Sequence, residues 1–192
     1  MTAMTEPIGL AEGRPFTVHD LEAMPDDGRR YELIDGMLLV TPAPGWSHQE
    51  MAGALYRLLH AVCPADLRVL LAPFAVRTSV INEVQPDVLV ARYEDLTEAC
   101  LPVAPVLAVE ALSRSTQLGD RNTKKAHYER LGVSSYWLLD PVQPGGLEIY
   151  ELNGGHYRLA AVVSGDEVYA AQRPFPVQVC PARLLDGLRS RS

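Results

Sequence analysis

Four side chains in this sequence sit where their chemistry is out of place: Glu32, Asp87, Glu110 and Lys124. Glu110 interrupts an apolar run from Val106 to Leu112, where a lone buried charge is costly unless it is paired or bound to a cation. Asp87 follows Pro86 and opens the apolar run Val88, Leu89, Val90, and Glu32 stands between Tyr31 and Leu33 in YELIDGMLLV. Two carboxylates on adjacent core strands repel, so they need a cation between them. Oxygen ligands with an incomplete shell suit Mg²⁺ or Mn²⁺, which leave the remaining positions to water and substrate phosphate. Each acid has a plainer reading as well. Asp87 can cap a turn, Glu110 can meet solvent near a strand end, and Glu32 can face outward on a hairpin. The three together are more informative than any one.

Lys124 adds a cation. Asp120, Lys124, Tyr128 and Leu131 fall at steps of four, four and three, so a helix presents them on one face. The apolar members make this the buried face and point Lys124 inward; the alternative is a surface pair with Asp120. Lys125 aligns with Glu129 and reads as a solvated pair. Arg114, Arg121, Lys124, Lys125 and Arg130 form a local basic cluster in a chain of formal charge −7. The five histidines show no HxH or HExxH spacing. His48 lies on the Met51–Leu55 face of its helix, where a satisfied helix-start histidine is favoured over a catalytic one. No GxGxxG, Walker loop or GxSxG elbow is present.

These residues need strands and helices to hold them. Thr17 and Asp20 have capping-box spacing for a helix over about 18–24, and Ser47 and Glu50 for one reaching about Val62. Asp35-Gly36 between apolar runs predicts a two-residue hairpin turn. RVLLAPFAVRTS, PDVLVARY, 106–112 and SYWLLD read as strands, with a helix over 121–131 ending at Gly132. LEIYEL, HYRLAAVV and EVYAA read as antiparallel strands, followed by a short helix, PARLLDGL. Strands mixed with a few helices indicate one α/β or α+β domain over 1–192, with a mixed sheet and a core at about 17–150. Hydrophobic content of 47% with 21% charged residues is that of a globular protein. No apolar run approaches the ~20 residues of a membrane span, and the N-terminus lacks the pattern of a secretory signal. Three scattered cysteines fit reduced thiols, so a cytoplasmic location without membrane attachment is expected. The acidic balance argues mildly against a general nucleic-acid coat.

YELIDGMLLVTPAP, SHQ, PDVLV, VEALSRST and GVSSYWLLDP, in this order, resemble the Uma-two family of restriction-endonuclease-like proteins, a family similar to the PD-(D/E)XK nucleases. The resemblance runs from about Thr17 to Tyr150, and more loosely to the C-terminus. It implies a restriction endonuclease-like fold, a mixed sheet flanked by helices. It further implies that Asp87 and Glu110 are the motif acids, that Glu32 is an upstream acid assisting metal binding, and that Lys124 is the catalytic lysine. The usual motif places lysine two residues after the second acid; here that position is Leu112, and the resemblance implies that the lysine has moved to the following helix. The expected activity is Mg²⁺- or Mn²⁺-dependent hydrolysis of DNA. A homodimer is expected by analogy with enzymes that cut both strands. Two other classes stay open: a catalytically silent nucleic-acid-binding or regulatory module of the same fold, and a structural partner of another protein.

Overall fold

A computed structural model of the protein describes residues 7–8, 13–113 and 116–186. Among these residues the strands are β1 (Pro7–Ile8), β2 (Arg30–Ile34), β3 (Met37–Thr41), β4 (Leu67–Leu71), β5 (Ala75–Ser79), β6 (Asn82–Val84), β7 (Val88–Arg92), β8 (Cys100–Leu101), β9 (Leu107–Ala111), β10 (Ser135–Asp140), β11 (Gly146–Asn153), β12 (His156–Ser164), β13 (Tyr169–Ala171) and β14 (Val177–Val179). The helices are α1 (Val18–Glu22), α2 (Trp46–Ala61), α3 and α4 (Pro181–Leu184). Helix α3 is a continuous run of three pieces, Gln117–Gly119, Asp120–Lys124 and Lys125–Leu131, and its middle piece is π-helical.

The strands form two six-stranded sheets and a short ribbon of β13 with β14. The main sheet runs β12-β11-β10-β9-β7-β4, and the second runs β1-β3-β2-β6-β5-β8. Strand β9 is parallel to β10 and antiparallel to β7, so the main sheet is mixed. Alternation gives it two buried faces. Val88, Val90, Leu107, Val109, Trp137 and Leu139 pack with Met51, Leu55 and Leu59 of α2. On the other face, Leu89, Ala108, Tyr136 and Leu138 pack with Ile34 and Val84 of the second sheet and with Tyr128 of α3. The result is helix on sheet on sheet. Among the described residues, no helix is long and apolar enough to cross a membrane.

Several local expectations need correction. RVLLAPFAVRTS is two strands in different sheets, because Pro73 removes a ladder donor at the break. Helix α2 begins at Trp46 behind Gly45, with no side-chain cap, so Ser47 lies inside the first turn. Helix α1 ends at Glu22, although the Asp20 carboxylate does accept from the Thr17 backbone N–H and hydroxyl at 2.7 and 2.8 Å. Helix α3 starts at Gln117. The basic cluster is dispersed: Arg121 pairs with Glu148, Arg130 pairs with Asp35, and Lys124 is buried. Arg114 lies outside the described residues. Lys125 does not pair with Glu129; its ammonium sits 3.8 Å from the Tyr150 ring centroid, while Glu129 accepts from the Tyr157 backbone N–H. The short C-terminal helix is described only as far as Asp186.

Candidate active site

The register of the main sheet brings the two strand acids together. Val88 pairs with Val109 and Leu89 with Ala108, so one further step puts Asp87 opposite Glu110. Both follow the parity of Leu89 and Ala108 and face the second sheet. That sheet contributes Glu32, from β2, where Arg30, Glu32 and Ile34 share the face turned toward the main sheet. The two-residue turn at Asp35-Gly36 fixes this parity, since Ile34 pairs with Met37 and both turn residues have positive φ, 51° and 74°. A Cβ at Gly36 would lie 2.4 Å from Pro15 Cβ, so glycine is needed for space as well as for φ.

Lys124 joins the two sheets. Its ammonium lies 2.9 Å from Glu32 Oε2 and 3.1 Å from Glu110 Oε1, and all three side chains are at least 95% buried. Tyr128, one turn on, donates its hydroxyl to the same Glu110 oxygen at 2.9 Å. Asp120 and Lys124 lie four residues apart in the π turn, and both are buried, as is Tyr128. The Tyr136 hydroxyl donates to the Asp120 carbonyl, which ties this turn to β10. Glu32 Oε1 accepts the Gln85 backbone N–H at 2.8 Å, two residues before Asp87.

Asp87 is held from three directions. Arg30 Nη1 donates to Oδ1 at 2.9 Å, His48 Nε2 lies 3.0 Å from Oδ2, and the Ala111 backbone N–H donates to Oδ2 at 2.8 Å. The sequence does not single out Arg30, and it marks His48 only as a satisfied helix-start histidine. Arg30 shares the parity of Glu32, a link that has meaning only once the facing sheet is known. For His48, only the fold shows that the first turn of α2 ends beside Asp87.

The electrostatics follow from burial and neighbours. Burial alone would raise the Asp87 carboxyl, but the His48 contact and the Arg30 charge outweigh it and hold it well below the usual range. Burial pushes Glu110 well above the carboxylate range, and the pull of Lys124 does not offset it. Burial likewise raises Asp120 to about 6. Burial opposes the Lys124 charge, yet Glu110 and Glu32 keep the ammonium protonated far above neutrality.

These groups line a cleft of about 150 Å³ roofed by the Pro42–Gly45 loop. Four carboxylates, Glu32, Asp87, Glu110 and Asp120, meet two permanent cations, Arg30 and Lys124, in that cleft. With all four ionised the lining carries two excess negative charges, which one divalent ion would neutralise. The donor set is all hard oxygen, the chemistry that Mg²⁺ and Mn²⁺ take. Residues present thus fit such an ion in charge and ligand type. Among the described residues no three His, Cys, Asp or Glu groups are placed to hold a metal ion, and Glu32, Glu110 and Asp87 are instead in contact with Lys124, Arg30 and His48.

The sequence model of the Uma2 family, described as "Putative restriction endonuclease", matches residues 18–183. A solved structure described as a "putative nuclease belonging to DUF820" from Anabaena variabilis superposes with a TM-score of 0.67 at 18% identity. The match covers 82% of this chain and 89% of that one, and it shows a shared fold. No individually curated protein gives a significant match.

Proposed function

Since the chain belongs to the Uma2 family of restriction endonuclease-like proteins, we propose that it is a nuclease that hydrolyses DNA phosphodiester bonds with Mg²⁺ or Mn²⁺. The observation that carries this reading is the convergence of Asp87, Glu110, Glu32 and Lys124, from both sheets and α3, on one cleft lined by four carboxylates. Asp87 and Glu110, with Glu32, would hold the ion, which when bound supplies an acidified water and polarises the phosphate.

The chain's own residues set up the rest. Arg30, His48 and the Ala111 N–H fix the Asp87 carboxylate, while Tyr128 fixes Glu110. Lys124, anchored by Glu32, keeps a full positive charge at the cleft, where it stabilises the negative charge that grows on the phosphoryl oxygens as water adds to phosphorus and the leaving oxygen departs. A second reading, a catalytically silent module that binds nucleic acid, draws support from one observation: the carboxylates are already tied to cations of the chain.

The test is cleavage of supercoiled plasmid and of single strands with Mg²⁺, Mn²⁺ or chelator. Cleavage that needs the ion and disappears in Asp87→Asn is the expected result. Retained DNA binding with no cleavage under any of these conditions supports the silent module.

A further inference from the structure

We infer that this protein receives an unpaired nucleobase in a chamber beside the carboxylate cleft, so that its substrate is single-stranded or locally unpaired nucleic acid. The inference rests on the nuclease reading and deepens it. The chamber has a volume of about 590 Å³, within the usual range for a pocket that encloses an organic ligand. The two cavities are adjacent and share Arg30, Ala43, Pro44, His48 and Asp87 in their walls. A phosphate held at Asp87 therefore has its neighbouring nucleoside at the chamber mouth.

Size and charge decide which part of a nucleotide goes where. The carboxylate cleft is about 150 Å³ and its acids are nearly wholly buried, which gives room for a phosphodiester link but not for the side of a duplex. The chamber does not suit phosphate. Its three arginines, Arg29, Arg30 and Arg77, are outnumbered by four acids, and each is already paired, with Asp27, Asp87 and Glu83 respectively. An uncharged base fits better. Leu21, Met24, Pro73 and Tyr31 give apolar wall, Tyr31 lying against the small core of Val18, Leu33 and Leu38 with its hydroxyl donating to Asp27. Gln49 and Gln85 bring side-chain amides that can both donate to and accept from a base edge. A base inside a duplex cannot enter such a chamber without leaving its stack, and a base that is already unpaired has no such cost.

The test compares one sequence as a single strand, as a bubble and as a full duplex, in Mn²⁺, with bis(4-nitrophenyl) phosphate as a base-free diester. Cleavage of the single strand and the bubble should exceed that of the duplex at least tenfold. Removing the base beside the cut, by an abasic nucleotide, should slow single-strand cleavage by a similar factor. Gln49→Trp places bulk in the chamber from an exposed position on α2, where it does not disturb the core. It should lower single-strand cleavage at least tenfold relative to its own hydrolysis of the base-free diester, and Tyr31→Ala should shift that ratio in the same direction. Equal rates on paired and unpaired DNA, or indifference to the abasic site, would overturn the inference and leave the nuclease reading standing. Failure to hydrolyse any substrate, the base-free diester included, would remove both.

Discussion

Lys124 and Lys125 are chain neighbours with opposite environments. Lys124→Ala leaves Glu32 and Glu110 buried without their shared cation, and it should reduce metal-dependent cleavage by on the order of 10²-fold or more. Lys125→Ala removes a cation over the Tyr150 ring, about 0.5–1 kcal/mol of stability, and should leave the cleavage rate within a few-fold. Parallel assays of both variants, with melting curves, check the contrast; equal losses would mean a diffuse basic surface. His127 gives a pH signature. Its ring is buried, and Nε2 has no hydrogen-bond partner. Burial, only partly countered by Asp35 and Glu32 and reinforced by Arg130 and Lys124, lowers its pKa from 6.5 to about 4. The unfolded chain then binds more protons between these values. Stability therefore falls as pH drops from about 6.5 toward 4, by about 3 kcal/mol from this group, with no further loss below. Denaturant melts of the wild type and His127→Phe across that window should show the wild type losing about 3 kcal/mol relative to the variant as pH falls; parallel curves would contradict the assignment. At this scale the acids were legible, because an acid within an apolar run is conspicuous. Arg30 was not, since an arginine at the start of a hairpin strand looks like any solvated arginine until the facing sheet is known.

Turns and helix ends do the positioning at the next scale, and their glycines can be ranked. Gly132 ends α3 at φ 82°, and an added Cβ would meet nothing within 4 Å. Gly132→Ala should thus cost only the left-handed backbone penalty, about 1 kcal/mol. Gly36→Ala adds the collision with Pro15 to a similar penalty and should cost on the order of 2–3 kcal/mol. It should also weaken cleavage, because the turn sets the parity of Glu32. Urea melts of the two variants test the order; a reversed order would show that Pro15 moves aside freely. The Asp35-Gly36 turn, the strand carrying Glu110 and the Gly132 stop could all be read locally, since turn chemistry and apolar runs are local signals. The division of RVLLAPFAVRTS between two sheets could not, and neither could the π turn. Both depend on partners distant in sequence.

At the scale of the whole molecule, the site is a seam. Asp87 and Glu110 belong to the main sheet, Glu32 and Arg30 to the second, and Lys124 to the helix that closes over both. An ion taken up there would bind the native state and not the unfolded chain. At a concentration 100-fold above its dissociation constant it would stabilise the protein by about 3 kcal/mol, a rise of roughly 5–10 °C in Tm. Melting with Mn²⁺ against chelator measures this, and Asp87→Asn should abolish the shift. A wild type whose Tm ignores millimolar Mn²⁺ would contradict the proposed site. The fold class was legible from the order of strands and helices. The pairing of two separate sheets across the site was not, because sequence periodicity shows which residues are buried but not what they are buried against.

The π turn of α3 has a consequence for how related chains should be compared. An α-helix turns about 100° per residue, so positions three apart share a face as positions four apart do, and loss of one residue from 121–123 would let ordinary winding keep Asp120 and Lys124 on the buried side. A single-residue gap elsewhere in α3 turns every residue beyond it by about 100°, whereas at this turn the change of winding absorbs it. A one-residue gap at this turn is thus no mark of a lost site, and a relative that keeps both acids and the lysine but is one residue shorter here is expected to keep the chemistry with the fold.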